Sequence, residues 1–291
     1  MLDKALLESV VREVLREMLT EEVGGVLPGK GVPPPPEPPP GDAVCKPRAV
    51  PRTTPFDDEE LRALKASTPA RLAQGRTGTR YLTHVYVGLR AEHAIALDAV
   101  HSTVPPALPK QLGCVELKTR CKDHAEFLLY PDQGRRLDDE SRAKLEREGT
   151  RGADVVVICG DGLSAWALEH NGPALVPALV SALQAQGFKV GKPVFVQHAR
   201  VGVQDEIGVI LGAKATVILV GERPGLGTGD SLSIYTAYGP KLGQDNAEKD
   251  CISNIRPLGI PPVEAAHECA TLLKRTFAAG GGGVHLTRSG K

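Results

Sequence analysis

The stretch Asp154-Val155-Val156-Val157-Ile158-Cys159-Gly160-Asp161-Gly162 decides the fold. A continuous apolar run of strand length, closed directly by Gly-Asp-Gly, predicts a strand buried on both faces that ends in a loop. The pattern recurs in Pro193-Val194-Phe195-Val196-Gln197 and in Ala215-Thr216-Val217-Ile218-Leu219-Val220, the latter followed by Gly221-Glu222-Arg223-Pro224-Gly225. Helical spacing fills the intervals: one helix from about Ser164, another over 173–186, a third near 205–211, and a last one over 262–277. Apolar strands alternating with helices predict an α/β fold over residues 151–291, a Rossmann-like parallel sheet with flanking helices. Ligands of such sheets sit outside the carboxyl ends of the strands. Those ends are residues 160–164, 198–203 and 221–227.

Working outward, residues 59–150 read as a small, mainly helical region. Helices are expected over 59–66, with Asp57 or Asp58 as cap, over 87–103, and over 137–149. The loop over 67–80 carries Arg71, Arg76 and Arg80. It is either a solvated loop or a set of forked donors for a partner or an anion. Residues 1–20 read as an amphipathic helix, in which Leu2, Leu6, Val10, Val14 and Met18 form one apolar row and Leu7, Val11, Leu15 and Leu19 the next. Residues 21–58 read as a Pro/Gly-rich linker: 11 of the 24 prolines fall within 28–55. An isolated helix of about five turns is marginal in water. It is either the first helix folded back on its domain or a docking segment on a stiff tether, and the polyproline spacer favours docking.

The remaining composition narrows the function. The 35 basic and 35 acidic side chains cancel, which gives no electrostatic case for nucleic acid or an anionic membrane as main partner. No apolar run approaches the roughly 20 residues of a membrane helix. Residues 1–22 carry three basic and six acidic side chains, unlike a transit peptide or a membrane-surface helix. No secretory signal is evident, so reduced thiols are expected. Cys45, Cys114, Cys121, Cys159, Cys251 and Cys269 form no CxxC pair and no zinc-ligand spacing.

Candidate chemistry lies in the strand-end loops. Gly160-Asp161-Gly162-Leu163-Ser164-Ala165 fits G-x-G-x-x-A and suggests a nicotinamide oxidoreductase. The acid that should end the next strand is missing: Gln197-His198-Ala199-Arg200 stands there. No G-x-S-x-G elbow is present. Asp161, His198, Asp205 and Glu222 are acid–base candidates without sequence evidence that they converge. Cys251 is either a nucleophile or a small filler or ligand-wall residue. Glu222, directly after an apolar strand, faces the crevice or pairs with Arg223 or Arg200.

The stretches 200–208 (Arg-Val-Gly-Val-Gln-Asp-Glu-Ile-Gly), 221–226 with 230–232, and 251–255 resemble signatures of the small subunit of adenosylcobalamin-dependent ethanolamine ammonia-lyases. Residues 67–78, 130–137 and 160–164 match as well. The resemblance runs in order over about 59–288, with Glu92 where Asp is the expected acid. It implies a carbon–nitrogen lyase converting ethanolamine to acetaldehyde and ammonia by radical chemistry. The active-site barrel belongs to a separate large subunit, in an assembly with six copies of each chain. By resemblance, Val201, Glu222 and Cys251 contact cobalamin, no residue of this chain is catalytic, and residues 1–20 look like tails that target bacterial microcompartments. The sequence lacks D-x-H-x-x-G, the cobalt-ligating histidine motif, so a base-on cofactor is implied. The readings from other classes are a self-sufficient NAD(P)-dependent enzyme and a non-catalytic scaffold.

Overall fold

In the computed structural model, residues 52–53, 59–68 and 70–289 are described; the expected docking helix and nearly all of the expected linker lie outside them. The described residues belong to one compact unit, Arg52–Lys291. Three two-residue strands, β1 (Arg52–Thr53), β2 (Arg76–Thr77) and β3 (Arg80–Tyr81), form a small antiparallel sheet. The same part of the chain carries α1 (Glu59–Ala66), α2 (Thr83–His101) and α3 (Ala107–Gln111). The main body continues with β4 (Val115–Lys118), α4 (His124–Leu129), α5 (Asp139–Glu148), β5 (Val155–Gly160), α6 (Ala165–Ala185) and β6 (Val194–Gln197). It closes with α7 (Val203–Leu211), β7 (Ala215–Gly221), β8 (Leu232–Tyr238), β9 (Lys249–Ile255), α8 (Pro262–Ala279) and α9 (Val284–Ser289).

The main sheet has the order β4-β6-β5-β7-β8-β9. β4, β6, β5 and β7 are parallel, as expected, but β8 and β9 extend the edge antiparallel, so the sheet is mixed rather than parallel throughout. The three central strands carry the apolar runs because both their faces are covered. Val155, Val157 and Cys159 meet Leu168, Leu175 and Leu179 of α6 and Cys269 and Leu273 of α8. Val156 and Ile158 meet Leu145 of α5 and Ile207 and Leu211 of α7. Successive strand residues point to opposite faces, so one uninterrupted run supplies both cores.

Three strands escape the sequence pattern for physical reasons. β4 is four residues long and lies at an edge, and β9 is largely exposed, so neither needs an apolar run. β8 reads Leu-Ser-Ile-Tyr-Thr-Ala-Tyr, with buried Ser233 and Thr236 breaking the pattern. β4, drawn from the segment expected to be mainly helical, pairs with β6. The two helices expected over 164–186 are one. Pro173 and Pro177 lie inside α6, spaced by four on its exposed side. The carbonyls that their missing N–H groups release therefore lie near water, and the buried leucine row runs on.

Candidate functional site

The loops after β5 and β6 part to opposite faces of the sheet, since α6 lies on one face and α7 on the other. That is the geometry that opens a crevice in doubly wound sheets. Here the protein fills the crevice itself. The Asp161 carboxylate accepts the backbone N–H of His198 (2.7 Å) and of Ala199 (2.9 Å), and that of Gly162 (2.9 Å). His198 is left-handed, φ 59°, and the Asp161 bond helps hold it there. Burial pushes the Asp161 pKa up to about 6, while the three N–H donors oppose the rise, so the group is ionised at neutral pH.

Gly162 and Gly221 interlock. Gly162 has φ 62°, and a Cβ on either residue would strike backbone of the other loop: Gly221 from Gly162, and the Ser164 carbonyl from Gly221. The Leu163 N–H donates to Gly221 O (2.9 Å) and the Ala165 N–H to Ser102 Oγ (3.1 Å). The glycines of the G-x-G-x-x-A pattern thus serve loop-to-loop packing. The N–H groups of Gly162, Leu163 and Ala165, which a pyrophosphate would need, are spent on protein acceptors. This argues against the dinucleotide reading on geometric grounds.

The other acid–base candidates hold the fold together. The first turn of α7 is a row of buried polar groups, each tied to a different neighbour. Gln204 Oε1 accepts from Thr216 Oγ1 of β7 (3.0 Å). Asp205 pairs with Lys249 of β9 (3.0 Å). Glu206 accepts the Leu137 N–H (2.7 Å) and meets Arg142 of α5 (3.1 Å). Acids in a first helical turn also suit the helix dipole. The His198 ring stacks on Phe127 (centroids 5.7 Å apart), with His124 beside it at 6.1 Å. Burial lowers both histidines' pKa values, helped by His101 beside His124 and by His124 beside His198, favouring the neutral forms. In the arginine loop, Arg71 pairs with Glu92 of α2, and Arg76 lies over the Tyr81 ring at 4.7 Å.

At these strand ends the loops after β5, β6 and β7, with Tyr235 of β8, line a small cleft about 90 Å³ in volume. Leu163, Ala199, Val201 and Val220 give it apolar walls, and Glu222 and Tyr235 give it polar ones. Val201 and Glu222 therefore meet, brought by the loops after β6 and β7. Glu222 forms no salt bridge to Arg200 or Arg223; its Oε1 accepts the Tyr235 hydroxyl at 2.7 Å. Cys251 sits opposite Tyr235 in the β8–β9 ladder, and its thiol interacts with the Tyr235 hydroxyl. Burial, aided by Glu222, drives the Tyr235 pKa far upward, so the phenol stays a donor. Burial also pushes the Cys251 thiol up, so it stays protonated. Tyr235 is the residue that sequence reasoning missed. It links Glu222 to Cys251 only through an antiparallel register that no apolar run announces. Among the described residues no group of three or more His, Cys, Asp or Glu could hold a metal ion. Among them, too, no helix is long and apolar enough to cross a membrane.

Fold and cleft together define an α/β protein with a small, partly apolar cleft at the strand ends of a doubly wound sheet. Residues 58–287 match the family described as ethanolamine ammonia-lyase light chain (EutC). The chain is 41% identical over 229 residues to the ethanolamine ammonia-lyase small subunit of Clostridium acetobutylicum, an alignment covering 79% of this chain and 95% of that one. It is 41% identical over 228 residues to the corresponding small subunit of Fusobacterium nucleatum, covering 78% of this chain and 77% of that one. The chain belongs to the ethanolamine ammonia-lyase small-subunit family.

Proposed function

We propose that this chain is the cofactor-closing subunit of an ethanolamine ammonia-lyase. In this reading it binds one side of base-on adenosylcobalamin with Val201, Glu222 and Cys251, while a large subunit holds ethanolamine. The observation that carries the reading is Glu222, held by Tyr235 at an apolar cleft. Tyr235 engages one carboxylate oxygen and leaves the other without a protein partner among the described residues.

The donor set suits a corrinoid. A corrin presents a broad apolar face and peripheral amides. Val201 and Leu163 supply apolar contact, the second Glu222 oxygen accepts an amide N–H, and the protonated Cys251 thiol forms uncharged wall. Tyr235 is a positioning residue that fixes the Glu222 rotamer. A cleft of about 90 Å³ is far below the roughly 300–1,000 Å³ of an enclosing ligand site, so this chain supplies one wall and a partner supplies the rest. The chemistry such a group supplies when bound is radical generation, by homolysis of a cobalt–carbon bond. This chain's residues bind, orient and exclude water, and none of them moves a proton in the reaction.

The purified chain alone should show no ethanolamine deamination, and activity should appear on adding the large subunit and adenosylcobalamin. Turnover by the lone chain sinks the reading. In the reconstituted complex, Glu222→Ala should weaken cobalamin retention by about 1–3 kcal/mol, the cost of a buried hydrogen bond to a charged acceptor. Equilibrium dialysis reads it, and unchanged affinity counts against Glu222 as a contact.

Residues 1–20 are further proposed to dock the complex in a bacterial microcompartment. Deleting residues 1–30 should then abolish co-sedimentation with compartment shells and leave deaminase activity intact. Loss of activity instead assigns the segment to the core or the subunit interface.

A further inference from the structure

Three imidazoles, from α2, α4 and the loop over 198–202, meet beside Phe127. The His124 ring centre lies 5.6 Å from that of His101, at the end of α2, and 6.1 Å from that of His198. His198 stacks on Phe127 of α4 at 5.7 Å, with 21° between the planes. Arg200 grips the same residue from the loop. Its Nη2 donates to Phe127 O at 2.8 Å, and its guanidinium lies over the ring at 4.3 Å. The Arg200 N–H donates to Gly134 O at 2.9 Å. Phe127 is fully buried, and His198 is 8% exposed. The loop that bears Val201 is thus fastened to α4 through Phe127 and the two histidines.

His124 Nε2 and His198 Nδ1 are both buried and have no hydrogen-bond partner in the protein. A proton added to either makes a charged donor with no acceptor, next to a second imidazole. The surrounding groups do not balance that charge. His124 faces His101 and Asp123. His198 faces His124, Lys118 and Asp123. Asp161 is engaged by the backbone N–H of His198 (2.7 Å), and Arg200 adds a further cation over Phe127. The Cys121 thiol, pushed up by burial, brings no charge. Burial holds both histidines below the ordinary 6.5, against the pull of backbone hydrogen bonds at Val100 and Cys121. Rings freed from this site bind protons more tightly, so their release takes up protons and is favoured as pH falls below about 6.5. Asp161 has the opposite sign. Raised to about 6 in the closed form, it resists opening in acid.

We propose that His124 and His198 form an acid-released clasp: neutral, they hold the loop over 198–202 against α4; protonated, they part and free it. The freed loop carries Val201, so release unseats that wall of the strand-end cleft. The effect on a bound corrinoid rests on the corrinoid reading of the cleft; the clasp itself does not.

Hydrogen exchange of the full chain, read by mass spectrometry from pH 7.5 to 5.0 and corrected for intrinsic rates, tests the clasp without any cofactor. An opening that takes up one proton grows about tenfold per pH unit below the pKa of the freed imidazole. Between pH 6.5 and 5.5, protection of amides 199–204 should therefore fall about tenfold further in the wild type than in His124→Phe/His198→Asn. Protection of the strand over 155–159 should change equally in both. Phe keeps a ring on Phe127, and Asn accepts the left-handed backbone at 198, so the variant removes the protons and spares the fold. Equal pH dependence of the loop in the two proteins overturns the proposal: if steep, another group such as Asp161 drives the opening, and if flat, there is none. If the double variant does not fold, proton NMR of the imidazole C2–H signals in the wild type decides. Both histidines should titrate below 6.5, in step with exchange of the loop, and titration of either at or above 6.5 overturns the clasp.

Discussion

Replacing Lys249 by Ala should lower the unfolding free energy by about 3–5 kcal/mol, the range for removing one partner of a buried ion pair. The Lys249 and Asp205 side chains are 3% and 4% exposed, and Lys249 Nζ lies 3.0 Å from Asp205 Oδ1. Lys249 also donates to Gln244 O at 3.2 Å, so one ammonium ties α7 to β9 and to the loop before it. Without it the buried carboxylate keeps only the Gln244 backbone N–H and the charge of Arg136 to offset its burial. Burial already raises the Asp205 pKa while Lys249 opposes the rise. The variant should push it higher, above its value in the unfolded chain. A group whose folded pKa exceeds its unfolded value stabilises below the unfolded value and loses that contribution as pH rises through the folded one. The deficit should therefore be largest at neutral and alkaline pH and shrink toward pH 4. Urea denaturation followed by circular dichroism across that range measures it. The pair Lys249→Met/Asp205→Leu should recover most of the loss, because no charge then remains to be desolvated. A deficit under about 1 kcal/mol at pH 7.5 would refute a buried, paired lysine.

Asp161→Ala should cost about 2–4 kcal/mol at pH 7. Three backbone N–H groups, those of Gly162, His198 and Ala199, lose their acceptor, at about 1–3 kcal/mol each where no water replaces it. Relief from burying a carboxylate offsets part of this. The rise of Asp161 from 3.8 to about 6 corresponds to about 3 kcal/mol. The sign is that of any raised group: the native state holds an extra proton between pH 4 and 6, so this contribution falls away as pH climbs through about 6. Asp161→Asn should flatten that segment of the stability–pH curve. It should cost less than Ala, since its amide oxygen still accepts while its amide nitrogen faces donors. Thermal unfolding of the three proteins from pH 4 to 8 tests both points. Indistinguishable slopes would mean that the carboxylate is solvated.

Much of the molecule was legible in its residues. The runs at 155–159 and 215–220 had to be central strands, because a sheet covered on both faces demands apolar side chains at every position. Their loops had to lie at the strand ends, and Val201 and Glu222 do meet there. The edge was not legible. Lys249-Asp250-Cys251-Ile252-Ser253-Asn254-Ile255 is a strand with one face open, and half-exposed strands carry no apolar signature. Cys251 therefore could not be placed by pattern, and Tyr235 drew no notice. The proline spacing in α6 misled for the opposite reason: local propensity argues for a break, and packing of the leucine row overrides it.

By itself the sequence determined the α/β class, the order of the central strands and helices, and the loops where ligand chemistry belongs, because these follow from side-chain period and burial along the chain. Family membership was likewise written in linear motifs. Only the tertiary structure decided what those motif residues do. The Gly-Asp-Gly turn serves loop-to-loop closure, Asp205 and Glu206 brace α7, and Tyr235 joins Glu222 to Cys251. Each of these roles depends on partners 13 to 69 residues distant in the chain. Which distant groups meet is fixed by sheet register and crossover, and neither leaves a local signal in the order of amino acids.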